Sequence, residues 1–434
     1  MKSIMKAIKQ RIRPVEFFPS VKSQPGVHRA LRMLWLEGVF LTISQGFYTE
    51  YVSLLILDAG GLVRHIAQLA SLNNLASLVA QIPGARLSES RGKPKLIALL
   101  ATRAIVPIVL VLLILTTVFL RGPSAVYCIC AISVLGALST AFGSPAYTSL
   151  LGDLIPMRIR GRYLSSRQLF MTVCGLLAAP IAGHVIQTGG FPSGYQISMG
   201  LALIAGVAAT LSYGRIPEPT VASQRGKPAH GVTGWKDLLR ERRFIRYCLT
   251  ALIWGIGCQI AAPFFSAHMV ENLGFSKTTI GLLRMVTMLA TLAGTRVLGQ
   301  RIDRRGARWA MIVSGLLVPF IPWSWLVVRL PWHAALSNVL SGFAWGGYNL
   351  AALHLLLGIV SEPRRARSIA VFNVVNALAA ILGPMVGGVL YASYGFRSNL
   401  IVSGAGRLMG ILAFILLVRE WKGDRTGAGA SRAV

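Results

Sequence analysis

Gly299-Gln300-Arg301-Ile302-Asp303-Arg304-Arg305-Gly306-Ala307-Arg308 is a short charged stretch set between two long apolar runs, and a weaker copy of it places Glu89 and Gly92 214 residues earlier. A 434-residue chain that repeats such a stretch between apolar segments reads as a duplicated membrane protein. Composition agrees. With 54% hydrophobic and 13% charged residues, the chain has too much apolar surface for one soluble core. A hydrocarbon layer of about 30 Å asks for about 20 apolar residues per helix. Twelve such runs are present: 33–57, 64–87, 96–120, 124–150, 163–187, 195–214, 244–270, 279–299, 308–328, 333–357, 367–391 and 398–418. None alternates as a membrane barrel strand must. The expected fold class is therefore an all-α polytopic membrane protein with twelve transmembrane helices.

The net charge of +30 first suggests nucleic acid, but its distribution excludes that reading. With both termini cytoplasmic and the spans alternating, 36 of the 44 Lys and Arg fall on the inner side and 5 on the outer. That asymmetry is the positive-inside rule, and it predicts a cytoplasmic (inner) membrane protein facing anionic inner-leaflet lipid. Arg103, Arg284 and Arg407 fall within spans. Met1, Met5, Ile8 and Ile12 share one helical face and Lys2, Lys6, Lys9 and Arg13 another, which reads either as a helix lying on the inner leaflet or as a solvated tail. Cys128, Cys130, Cys174, Cys248 and Cys258 lack metal-ligand spacing and read as apolar filler. No phosphate-cradling loop, metal cluster or catalytic triad spacing is present, so no enzyme and no cofactor are expected.

The polar stretch 215–243 separates two sets of six spans. At an offset of 214, Arg32 pairs with Arg246, Gln45 with Gln259, Gly60 with Gly274, Glu89 with Asp303 and Gly92 with Gly306; later the offset is 204, pairing Arg160 with Arg364, Pro180 with Pro384 and Gly183 with Gly387. One ten-residue deletion accounts for the change. The expected organisation is a basic tail (1–28), a six-helix unit (29–214), a linker (215–243), a second six-helix unit (244–418) and a C-terminal tail (419–434).

These features resemble the major facilitator superfamily. The resemblance rests on the two six-span halves, the Gly-x-x-x-Asp-Arg-x-Gly-x-Arg loop after the second span of a half, and Gly383-Pro384-x-x-Gly387-Gly388 in the eleventh span. It covers residues 29–418. It implies two pseudo-symmetric six-helix bundles with substrate bound near the midplane between them, and alternating access by rocking of the halves.

Physically, Gly299 permits close helix approach, and Asp303 can accept hydrogen bonds from a helix N-terminus or pair with an arginine. The resemblance makes Asp303, Arg304 and Arg308 gate candidates, with Gly299 and Gly306 beside them. In the first half the motif reads Gly84, Glu89 and Gly92, one residue longer and with Glu for Asp, whereas the family keeps its better copy there. The fifth-span motif that the family associates with export is altered at Ala179 and His184, so export is only slightly favoured.

Substrate contacts are sought on helix faces. Asn338, Ser341, Trp345, Tyr348, Asn349 and Ala352 form a polar and aromatic stripe in the tenth span, and Ser133, Thr140, Ser144 and Tyr147 one in the fourth. Glu37, Ser44, Tyr48 and Tyr51 share a face of the first span with Gln45 beside them, Asn373, Asn376 and Pro384 one of the eleventh, and Gln259 lies in the seventh. Against this stands interhelical hydrogen bonding, which explains Ser, Thr and Asn in spans without any ligand. Glu50, inside the first span but turned from Glu37, is either a proton-coupling carboxylate or half of an ion pair. Arg284 is an anion-binding candidate, while Arg103 and Arg407 read as structural pairs or snorkelling side chains. The expected function is secondary active transport of a small organic solute, coupled to an ion gradient such as protons, by a monomer. The alternative is a transporter-like membrane sensor or a helper that delivers pigment or lipid.

Overall fold

The computed structural model describes residues 25–90, 94–155, 160–216, 242–359 and 365–418, and among them only helices and short connections occur. In chain order the rods begin with α1 (Pro25–Tyr48, a 3-10 turn at Thr49–Tyr51, Val52–Asp58), α2 (Val63–Ser90) and α3 (Pro94–Ala98, a π turn at Leu99–Ala104, Ile105–Phe119). Next come α4 (Gly122–Leu154), α5 (Arg160–Gly189), α6 (Ser193–Gly214) and α7 (Arg242–Ala261, a 3-10 turn at Ala262–Phe264, Phe265–Glu271). The last are α8 (Lys277–Arg305), α9 (Ala307–Leu317 with Phe320–Ser324), α10 (Pro331–Ile359), α11 (Arg365–Tyr394) and α12 (Phe396–Leu417). Among the described residues nine of these, α3 to α9 with α11 and α12, are long and apolar enough to cross a membrane. The helices α1, α2 and α10 stand where the sequence places three further spans. The N-terminal segment with Lys2 to Arg13, most of the linker, Gly92, Arg364 and the C-terminal tail lie outside the described residues.

Apolar side chains face outward as well as inward. On α6, Tyr195, Met199, Ala202, Ala209 and Tyr213 are buried while Ile204, Val207 and Leu211 are exposed. Such a helix has lipid on one side and protein on the other.

The duplication is visible in three dimensions. The 3-10 turn of α1 recurs in α7, where Pro263 lacks the N–H that would continue the helix. Gly60 and Gly274, paired at the 214 offset, both adopt positive φ (90° and 66°). Packing follows the same scheme: α1 lies on α5 and α6 as α7 lies on α11 and α12, and α2 lies on α4 as α8 lies on α10.

The stretch Gly299–Arg308, read as a loop, is helical on both sides of one residue. Alpha-helical backbone continues through Arg305, Gly306 takes φ 83°, and α9 starts at Ala307. A residue with a Cβ is strained at that φ, so the glycine is what lets α8 turn directly into α9.

The halves meet along two seams, α5 against α8 and α2 against α11. A Cβ placed on Gly281 would stand 2.6 Å from the Ala179 carbonyl oxygen, and one on Gly183 would collide with the Lys277 carbonyl. Likewise a Cβ on Gly388 would lie 2.7 Å from that of Ala67. One apolar core spans both halves at this joined end, with Tyr51, Leu110 and Tyr195 from the first half and Phe264, Phe275 and Trp325 from the second. Toward the opposite end, which carries the Gly299–Arg308 turn, the core splits. Leu34, Leu150, Tyr163 and Tyr213 belong to one cluster, and Tyr247, Ile302, Met311 and Phe414 to another.

Gly281→Val forces backbone apart at the α5/α8 seam and is expected to lose about 1–3 kcal/mol, the usual range for overpacking. Thermal unfolding in detergent checks it, with Gly200→Ala on α6, where nothing lies within 4 Å, expected to be near neutral.

Candidate functional site

A cavity of about 930 Å³ lies against α7, α8, α10 and α11, with Glu50 and Asn74 contributed by the first half. The tenth-span stripe faces it: Asn338, Ser341, Trp345, Tyr348, Asn349 and Ala352 all line it, as do Gln259, Arg284 and Asn376. Its size matches a drug-sized organic molecule.

Aromatic rings form much of one wall. Trp254 stacks on Tyr348 with centroids 4.7 Å apart and meets Trp345 edge-on at 6.3 Å, while Tyr247 stacks on Phe372 at 5.3 Å. Glycines set this wall close to its neighbours, since a Cβ on Gly410 would lie 2.8 Å from Trp254 Cα. Trp254, Tyr247 and Phe372 escape the sequence reading because their stripe on α7 and α11 is apolar and resembles ordinary core.

Glu50 and Arg284 form an ion pair of 3.0 Å across the two halves, at side-chain exposures of 39% and 49%. Of the two readings open for Glu50, the structure supplies the ion pair, and it places that pair on the cavity wall. Glu50 lies in the 3-10 turn at Thr49–Tyr51. Arg407, read from the sequence as a structural pair or a snorkelling side chain, is 3% exposed and also lines the cavity.

Glu37, Ser44 and Tyr147 are not cavity residues. Ser44 is buried and donates to the Ala202 carbonyl at 2.8 Å, tying α1 to α6. Glu37 is fully buried between Arg103 (Nε to Oε1, 2.5 Å) and Arg167 (Nη2 to Oε2, 2.9 Å), and accepts from the Tyr147 hydroxyl at 3.2 Å. Arg103 reaches it from the π turn of α3, with its guanidinium 4.3 Å over the Tyr147 ring. Arg167 sits where a Cβ on Gly38 would collide with it, and donates to the Leu34 carbonyl at 3.2 Å. Arg103 thus has the structural pairing that the sequence suggests. Arg167, counted there among inner-side basic residues, is instead buried in α5. The legible signal was Glu37 itself, because a carboxylate deep in a span needs a cation. Tyr48 packs at the edge of the shared core, Gln45 and Ser144 are exposed, and none of the three lines the cavity.

Several ties cross the halves near the joined end. Lys277 pairs with Asp58, which also accepts from Tyr195 at 2.8 Å, and the Lys277 N–H donates to Gln187 Oε1 at 3.0 Å. Ser71 and Asn74 donate to the Ile381 and Ala380 carbonyls at 2.9 and 3.3 Å. Asp58 and Lys277 went unnoticed because outer-loop charges read as solvated ones.

The two copies of the charged motif are built into helix packing. Gly84 presses on the Phe142 carbonyl and Gly299 on Leu350, each within its own half. Arg308 donates to the Val418 and Ile415 carbonyls at 3.0 and 3.3 Å, capping α12 of its own half. Arg305 lies 4.9 Å over Trp309. Glu89, Asp303 and Arg304 lie on the last turns of α2 and α8.

The profile of the Major Facilitator Superfamily matches residues 38–259 and 247–432. The chain is 23% identical over 210 residues to a "Na(+), Li(+), K(+)/H(+) antiporter" of Planococcus maritimus, covering 45% of this chain and 48% of the relative. It is 28% identical over 172 residues to "Multidrug resistance protein MdtH" of Cronobacter sakazakii, covering 38% and 41%. It thus spans less than half the length of these relatives. A bacterial homologue of the human lysosomal transporter Spinster, solved in an inward-facing and occupied conformation, superposes with a TM-score of 0.71 at 16% identity, covering 93% of this chain and 99% of that one.

Removing the carboxylate charge at Glu37→Gln leaves Arg103 and Arg167 buried together, and is expected to cost about 3–5 kcal/mol, the scale of breaking a buried pair. Unfolding temperature and membrane abundance check it, and Glu37→Gln combined with Arg103→Met should recover part of the loss.

Proposed function

The chain belongs to the Major Facilitator Superfamily, and from that premise we propose that it is a secondary transporter moving a small organic solute across a cytoplasmic membrane by alternating access. The observation that carries the reading is the cavity of about 930 Å³ lined from both halves, beneath a joined end and beside a core that splits toward the other. A binding space closed on one side by ties between two pseudo-symmetric units is what rocking transport requires. In this reading the units are 29–214 and 244–418, twelve helices span the membrane, both termini are cytoplasmic, and the monomer transports with its basic face toward anionic inner-leaflet lipid.

Ion coupling is assigned to Glu50. Protonating it would release Arg284 and loosen a tie between the halves, so proton arrival and the rocking motion would be linked at the cavity wall. The antiporter and multidrug-resistance names of the relatives support coupling and favour export. Substrate contacts are assigned to Gln259, Trp345, Tyr348, Asn349 and Asn376. The gate is assigned to Asp303, Arg304 and Arg308 with their glycines, on the counterpart closed at the basic end; Gly84, Glu89 and Gly92 would act in the same way in the first half.

Reconstitution in lipid vesicles tests the whole reading: a proton or substrate gradient should drive flux of a bound solute. Absence of flux across a broad panel, with a stable protein partner copurifying, would overturn it in favour of a sensor or delivery role. Trp345→Ala is expected to weaken apparent substrate affinity about three- to tenfold, the equivalent of one aromatic contact of about 0.5–1.5 kcal/mol, in a binding titration. Asp303→Asn is expected to slow flux severalfold at unchanged unfolding temperature; full-rate flux would remove Asp303 from the gate.

A further inference from the structure

The charged residues lining the cavity are Glu50, Arg284 and Arg407. Glu50 and Arg284 neutralise each other. Arg407 has no such partner: among the described residues no carboxylate pairs with it, its Nε has no hydrogen-bond partner, and its two terminal nitrogens make only long bonds, 3.4 Å to the Val318 carbonyl and 3.3 Å to that of Cys258. A guanidinium carries five N–H donors and its full charge, and burying it with two weak neutral acceptors leaves most of that capacity unused.

Capping of helix carbonyls does not explain an arginine here. Asn399, Ser403 and Arg407 recur every four residues on α12 and all donate to α7. Asn399 reaches the Ile260 carbonyl at 3.1 Å and Ser403 the Gly257 carbonyl at 2.6 Å, both better bonds made without charge. A neutral donor would serve equally at 407. The feature that distinguishes the third position is that it borders the cavity.

We propose that Arg407 receives the anionic group of the substrate, so that the cavity takes an organic anion with a flat, conjugated body lying against the Trp254, Trp345 and Tyr348 side of the wall. This rests on the transport reading and names its substrate class. A carboxylate matches the arginine fork in a two-bond geometry. An aromatic wall by itself would also suit an organic cation. The uncompensated positive charge beside it selects against one. A volume of about 930 Å³ is far larger than an inorganic anion needs.

The experiment uses the purified full chain in detergent and three probes of one shape: 2-naphthoate, neutral 2-naphthamide and protonated 2-(aminomethyl)naphthalene. Binding is read by tryptophan fluorescence and by the rise in unfolding temperature. Naphthoate is expected to bind about tenfold or more tightly than the amide, the scale of a charge-assisted hydrogen bond, and the amine most weakly. Arg407→Gln should abolish that preference and Arg407→Lys should keep part of it, while Arg121→Gln, exposed and away from the cavity lining, should leave the ranking unchanged. Equal binding of all three, preference for the amine, no binding by any, or a preference for naphthoate that survives Arg407→Gln would overturn the proposal. Should Arg407→Gln fail to fold, the ranking on the unaltered chain and Arg407→Lys still decide. Flux in vesicles separates the two levels: naphthoate binding without transport would sink the transport reading and leave the anion site standing, whereas transport of the amine alone would do the reverse.

Discussion

Close helix approach at glycines along two seams is the constraint on which the rest of the structure depends. Helices already surrounded by apolar solvent gain little by hiding apolar side chains from it, so their association rests on close packing and on polar groups that reach each other. Gly183 and Gly281 allow α5 and α8 to touch through their main chains, and Gly388 lets α11 lie on Ala67 of α2. With these approaches in place, Lys277 reaches Asp58, and Ser71 and Asn74 reach the carbonyls of α11. The shared core at that end and the split cores at the other are consequences of where the seams make contact. The cavity is the space left between them.

Charge inside the fold is handled in three ways. Glu37 is held by two arginines and the Tyr147 hydroxyl, with Arg103 over the Tyr147 and Tyr213 rings, which turns a costly carboxylate into a rivet among α1, α3, α4 and α5. Glu50 and Arg284 are paired but half exposed at the boundary between halves, where the pair can break without stranding a charge in apolar surroundings. Arg407 is buried with neither arrangement. The first is suited to holding a bundle together, the second to a change of state, and the third to receiving charge from outside the chain.

The parts of the fold that were legible in the sequence follow from local rules. Apolar run length and basic asymmetry need no knowledge of neighbours, and the offsets of 214 and 204 locate the duplication that reappears in the matched 3-10 turns and in the positive φ of Gly60 and Gly274. The tenth-span stripe was legible because asparagine and serine are conspicuous on an apolar helix, and it does face the cavity. The first- and fourth-span stripes look alike in sequence but do not line the cavity. Glu37 and Tyr147 close on Arg167, and Ser44 closes on Ala202. Spacing on one helix gives the face, and it does not give what the face meets.

The same division separates the charged stretch at Gly299 into two kinds of knowledge. By itself the sequence determined that this is a duplicated, helical, multi-pass membrane protein, because hydropathy, charge asymmetry and repetition are properties of the chain read in one dimension. Only the tertiary structure decided that helix α8 runs through the stretch to a single glycine turn at Gly306, and that Arg308 caps α12 rather than reaching the other half. It also decided which buried charges are paired. The physical reason is that a hydrogen bond or an ion pair depends on separations of about 3 Å between residues often more than a hundred positions apart. Those separations are set by how closely glycines let the helices pack.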